Sequence, residues 1–275
     1  MTIAGVLAGL SIAGSKMSSS ILGKLVSPTL PGAALLSGLV VSIVLLIALT
    51  LAKIPVSLSN CVVGAFLGAG LASHTTIKYV QLAEIIGSWI AIPFVSAALA
   101  IVFYELLAKY DSHFSLITVS YTNRIVLVIV VFLVAFTLGA NNIGTIVSLA
   151  NGESLSQLVI EGLYAFVFLA SAVGMVVFGK SIAGVISDEI VGLSQMKTLS
   201  AMLSSAIITG FFTALSIPVS LTQVIVGGML GAGVVHKPSI VNRREVAKLI
   251  AGWTVVTLAS AGLAFGTYFL FLRLI

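Results

Sequence analysis

Six apolar blocks decide what this chain can become: 32–52, 80–108, 124–139, 162–179, 198–215 and 246–275. They approach or exceed the length that crosses about 30 Å of hydrocarbon as a helix. In lipid every backbone N–H and C=O must find its partner inside the protein, so such blocks become helices or closed barrels. Strands of a membrane barrel alternate apolar and polar residues over about ten positions. These blocks are near-continuous Leu, Ile, Val, Ala and Gly, so a helical bundle is expected. Only 8% of the 275 residues are charged, against about 25% in water-soluble domains. So few charges cannot cover a water-facing surface, and the chain reads as a multi-pass integral protein of the cell membrane. Residues 1–13 are apolar but lack a basic start and a clear cleavage site, so they read as part of a membrane helix rather than a leader.

Inside this apolar text one passage is written twice. "IPVSLSNCVVGAFLGAGL" covers 54–71 and "IPVSLTQVIVGGMLGAGV" covers 217–234. Pro55 pairs with Pro218, an offset of 163, and Ser57, Ser59 and Asn60 then pair with Ser220, Thr222 and Gln223. With one inserted residue, "AEIIGSW" (83–89) matches "AKLIAGW" (247–253). Pro, Gly, Trp and hydroxyl positions coincide, which apolar composition alone does not produce. The expected organisation is a first membrane repeat over 1–110, incomplete at its N-terminal side, a connection over 111–123, and a second repeat over 124–275. The loop after the second copy carries Lys237, Arg243, Arg244 and Lys248, whereas its counterpart has only Lys78 and Glu84 as formal charges. Basic loops stay cytoplasmic, which favours two inverted repeats with broken or half helices at the membrane midplane.

Each copy starts with Pro, continues with hydroxyls and ends in a Gly-rich run. Proline suits a helix start, where the first amides have no intrahelical acceptor. Those amides and the positive end of the helix dipole favour an anion. Short, Pro-interrupted segments at matching places in two halves point to a transporter's midplane site. The competing reading is structural: hydroxyls bonding back to their own helix and glycines serving close packing. A second polar point is "FTLGANNIGTIVSLANGE" (136–153), where Asn141 and Asn142 stand between Gly139 and Gly144. Buried carboxamides are costly unless paired, so they either face a ligand in a broken helix or cap a helix end at the lipid boundary.

With these residues in view, the chain resembles the inorganic phosphate transporter (PiT) family. Its members carry a Gly-Ala-Asn-Asp and a Pro-Val-Ser-Thr-Thr-His signature in each of two inverted halves. "GANN" (139–142) resembles the first signature, and "PVSLSN" (55–60) and "PVSLTQ" (218–223) resemble the second. "FGKSIAGVI" (178–186) and "GSKMSSSIL" (14–22) resemble the family's Gly-Lys stretch. The resemblance implies a secondary-active phosphate permease coupled to Na⁺ or H⁺. Ser57, Ser59, Asn60, Ser220, Thr222, Gln223 and Asn141 are then the expected substrate-binding residues, and Asn141, Asn142 and Thr145 the expected cation ligands. Departures are specific: Asn142 replaces the signature aspartate, Leu58 and Leu221 replace a hydroxyl, Asn60 and Gln223 replace the histidine. Ser171 falls where a glutamate is common, and the first half has no Gly-Ala-Asn-Asp copy.

Other chemistry is thin. The single Cys61 allows no intramolecular disulfide, and His74, His113 and His236 form no ligand cluster in sequence. Glu84, Glu105 and Glu161 fall at expected helix ends. No hydrolase or phosphate-loop motif is present, so an enzyme, a cofactor or a resident metal is not expected. The net charge of +5 is scattered at helix ends, which gives no footprint for nucleic acid. Expected partners are the bilayer and phosphate or sulfate, with a homodimer left open. Sulfate stays a rival because it only accepts hydrogen bonds and needs no acidic partner for a ligand proton. A non-transporting membrane protein of the same fold is the remaining alternative.

Overall fold

The computed structural model describes residues 1–14, 25–26, 30–52, 54, 56–145, 157–184, 194–235 and 243–274. Helices carry nearly all of it: α1 (Thr2–Ala13), α2 (Gly32–Leu51), α3 (Leu58–Ala72), α4 (Tyr79–Asp111), α5 (Leu116–Thr137), α6 (Gln157–Gly184), α7 (Gln195–Ala214), α8 (Leu221–Val234) and α9 (Arg243–Leu272). A π-helical turn, Leu138–Ile143, continues α5. Most of the stretch 14–22, with Lys16, and the basic run 236–242, with His236, lie outside the described residues. So does Pro55.

The expected blocks return as helices, and among the described residues five segments are apolar and long enough to span a bilayer: Gly32–Leu51, Tyr79–Asp111, Ile117–Ile143, Glu161–Gly179 and Val246–Leu272. Their outer faces carry large apolar side chains, Phe94 at 73% and Phe166 at 68% exposure among them, which only lipid can solvate well. The 198–215 block forms α7, yet it falls short of a span by composition. Its hydroxyls explain that: Ser200, Ser204, Ser205, Thr209 and Thr213 are buried. Ser205, Thr209 and Thr213 donate to the carbonyls of Ala201, Ser205 and Thr209 one turn earlier. At 15 and 14 residues, α3 and α8 reach only about 70–75% of the bilayer core at about 1.5 Å per residue.

The segment 111–123, read as a connection, is mostly helix. Ser115 caps α5 by accepting from the Thr118 amide at 3.3 Å, and Asn123 Nδ2 donates to Asp111 Oδ2 at 2.8 Å. The polar run "TVSYTN" looks like a loop by composition, but capping and this cross-link hold it helical from Leu116.

The repeated text becomes repeated structure. Gly32–Leu51 and Gln195–Ala214 are offset by 163 at both ends, and α3 and α8 start at the same offset. The halves exchange partners: α3 packs on α2 and α9, while α8 packs on α7 and α4. Glycines permit the closest approaches. A Cβ on Gly68 would strike the Ala261 carbonyl of α9, and one on Gly231 would strike the Ala97 carbonyl of α4. These are matched collisions, so each short helix packs closely on a long helix of the other half.

Candidate functional site

The starts of α3 and α8 meet. Ser59 Oγ, on α3, donates to the Val219 carbonyl at 2.9 Å, and Thr222 Oγ1, on α8, donates to the Val56 carbonyl at 3.3 Å. Ser59 pairs with Thr222 in the repeat, and Val56 with Val219, so the two bonds are one contact made twice. Each helix opens on a serine N-cap in extended conformation. Ser57 accepts from the Asn60 amide and Ser220 from the Gln223 amide, both at 3.2 Å. Such caps satisfy one of the orphan amides of a first turn. The amides of Leu58, Ser59, Leu221 and Thr222 come before the first intrahelical bonds, which run from Cys61 to Ser57 and from Val224 to Ser220.

Between these starts lies a cavity of about 190 Å³. Ser57, Ser59, Thr222 and Asn142 give it polar lining, and Leu58, Leu221 and Leu138 give it aliphatic walls, with Val56 and Ile225 completing it. Among the described residues, no charged side chain lines it. Three hydroxyl hydrogens are already placed: Ser59 on Val219, Thr222 on Val56, and Ser57 on Asn60 Oδ1 at 2.9 Å. A bound anion competes for them by hydroxyl rotation, which costs no backbone movement. Two helix starts aimed at one cavity add the positive ends of two dipoles. The arrangement suits a small oxyanion, held by hydroxyls, amides and a carboxamide.

Asn142 reaches the cavity from the π-turn, its Oδ1 3.1 Å from Ser59 Oγ, where it competes with the Val219 carbonyl for the one hydroxyl hydrogen. Extra residues of this kind in a helix recur at functional sites. Gly139 lets this turn press on α1, where a Cβ would meet the Val6 carbonyl. Asn141, fully buried, serves the backbone instead. Its Nδ2 donates to Thr213 Oγ1 and the Ile217 carbonyl, and its Oδ1 accepts from the Val219 amide, each at 3.1 Å. It staples the approach to α8. Thr145 donates to the Asn141 carbonyl at 2.6 Å.

Of the residues singled out from sequence, Ser57, Ser59, Thr222 and Asn142 line the cavity, while Asn141, Thr145 and Ser220 stand behind it. Asn60 and Gln223 face the other way. They floor a larger apolar groove of about 740 Å³ between α4 and α9, beside the repeat-matched Trp89 and Trp253. Asn60 Nδ2 donates to the Trp253 carbonyl at 3.4 Å, and Gln223 Oε1 is buried without a hydrogen-bond partner. Sequence reading passed over Leu138 and Ile225, whose apolar letters carry no signal of a cavity. It also passed over Lys197, which is buried and donates to the Gly233 and Val235 carbonyls at 3.1 and 2.8 Å, capping the far end of α8.

The fold and site define a multi-pass helical membrane protein whose halves exchange helices around a small cavity lined by hydroxyls, a carboxamide and aliphatic side chains. A model of the phosphate transporter family matches residues 1–121 and 113–264, and the chain belongs to that family. It is a family of transporters, not of enzymes. Among its relatives, a "Putative phosphate permease" of Methanocaldococcus jannaschii is 27% identical over 84% of this chain and 73% of its own length. A "Probable low-affinity inorganic phosphate transporter" of Bacillus subtilis is 24% identical over 79% of this chain and 68% of its own. In fold, the chain is similar over its whole length to a sodium-dependent phosphate transporter, with a TM-score of 0.84 and 15% identity, covering 88% of that chain.

Proposed function

We propose that this protein is a secondary-active permease that carries inorganic phosphate, with the anion seated in the cavity between the starts of α3 and α8. The observation that carries the proposal is the reciprocal Ser59–Val219 and Thr222–Val56 contact, which brings two helix starts to one cavity lined by Ser57 and Asn142. Sodium is the coupling ion favoured by the oxygens at hand. Asn142 Oδ1 and Ser59 Oγ stand 3.1 Å apart on the cavity wall, and hard cations take neutral oxygens. Asn141 and Thr145 act by holding this wall rather than by ligating. An inverted arrangement of the two halves would place the cavity near mid-bilayer, with α3 and α8 closing it alternately from either side.

The test is uptake by the purified protein in liposomes. Radiolabelled phosphate and sulfate are offered under a sodium gradient, a proton gradient, or neither. Phosphate accumulation that follows the sodium gradient bears the proposal out. Sulfate accumulation in its place transfers the same site to sulfate, and flux of neither, from folded protein, refutes transport of both.

A further inference from the structure

The cavity has two faces of different chemistry. Ser57, Ser59, Thr222 and Asn142 offer hydrogen bonds, while Leu58 and Leu221 offer only hydrocarbon. Leu58 and Leu221 are matched in the repeat, and each is the first residue of its helix. Both halves therefore bring an aliphatic side chain to the cavity from the place next to a hydroxyl, and Leu138 adds a third from the π-turn. An ion with oxygen at all four corners that uses the polar face must set one oxygen against this wall, where it loses water and finds no donor.

We infer that the cavity takes, besides phosphate, tetrahedral oxyanions in which one oxygen is replaced by hydrogen or a small alkyl group: phosphite and methylphosphonate. Three oxygens meet the hydroxyls and amides, and the P–H or P–CH₃ corner meets Leu58 and Leu221. Size permits it. Four corner groups at about 30 Å³ each, the share of a water molecule in the liquid, fit within the cavity of about 190 Å³. The inference rests on this cavity being the phosphate site, and it gives Leu58 and Leu221 the role of specificity-determining residues.

Competition in liposomes tests it. Labelled phosphate uptake is challenged with unlabelled phosphate, phosphite, methylphosphonate and sulfate, and accumulation of labelled methylphosphonate is measured directly. Phosphite and methylphosphonate should half-inhibit within about tenfold of unlabelled phosphate, about one hydrogen bond's difference. In the double variant Leu58→Thr, Leu221→Thr, new hydroxyls should weaken methylphosphonate about tenfold relative to phosphate. Should that variant not fold, the wild-type competition and direct uptake decide alone. Phosphate uptake that neither analogue inhibits, or an unchanged ratio in the folded variant, overturns the inference and leaves the phosphate proposal standing. Failure of phosphate and methylphosphonate alike to accumulate overturns both.

Discussion

Ser57 and Ser220 form an internal control for site assignment. Each caps its helix through the same bond, to the amide three residues on, at the same 3.2 Å. Both are almost fully buried, at 2% and 1% exposure. Changing either to alanine should cost about 1 kcal/mol for the lost cap, and Ser57→Ala should cost about 1 kcal/mol more, because it also removes the bond to the buried Asn60 Oδ1. Only Ser57 lines the cavity. Ser57→Ala should lose a hydrogen bond to a charged ligand as well, worth about 1.5–3 kcal/mol, or about 10- to 150-fold in affinity. The assay pairs thermal unfolding in detergent with the concentration dependence of phosphate uptake in liposomes. Lowered unfolding temperatures in both variants, the larger shift in Ser57→Ala, with a KM change confined to Ser57→Ala are the expected result. If the two variants weaken uptake alike, or if Ser220→Ala is the worse of the two, the anion does not sit where the cavity places it.

Three further outcomes follow from named contacts. Asn141→Ala leaves the buried Val219 amide unpartnered and takes a donor from the half-buried Ile217 carbonyl; at about 1–3 kcal/mol for the amide alone, unfolding should come at clearly lower temperature, with uptake per folded molecule reduced. Gly68→Ala and Gly231→Ala drive a methyl into the Ala261 and Ala97 carbonyls, so each should cost about 1–3 kcal/mol or more, read as lost yield of folded protein, with similar penalties at the two matched sites. Asn142→Asp puts a carboxylate on the cavity wall. Phosphate affinity without sodium should fall through charge repulsion, and added sodium should restore it more strongly than in the unsubstituted protein; no difference between sodium and potassium buffers would refute a cation seat there.

How much was legible beforehand varies by residue type. Ser57, Ser59, Thr222 and Asn142 were readable because a hydroxyl or carboxamide in an apolar chain is a visible exception, and for the three hydroxyls the repeat named the partner. Asn60 and Gln223 looked equivalent to them by the same signal, yet they turn toward Trp253 and the opposite groove. A helix start presents successive side chains about 100° apart, so neighbours in the text need not share a cavity. Asn141 beside Asn142 divides in the same way, one stapling backbone and the other facing the cavity. Helix α5 began earlier than expected because a cap and the Asn123–Asp111 bond outweigh polar composition.

Sequence alone determined the solvent of this protein, its helical class and its duplication, because lipid tolerates few charges and leaves no backbone group unpaired. It also placed the two helix starts, since proline, serine and glycine there have local conformational reasons. Tertiary structure decided the exchange of helices between the halves and the meeting of α3 with α8. It also decided which side of each start faces the cavity. Those depend on which glycine lies against which carbonyl far away in the chain, as Gly68 does against Ala261 and Gly231 against Ala97, and no local pattern records such a distance.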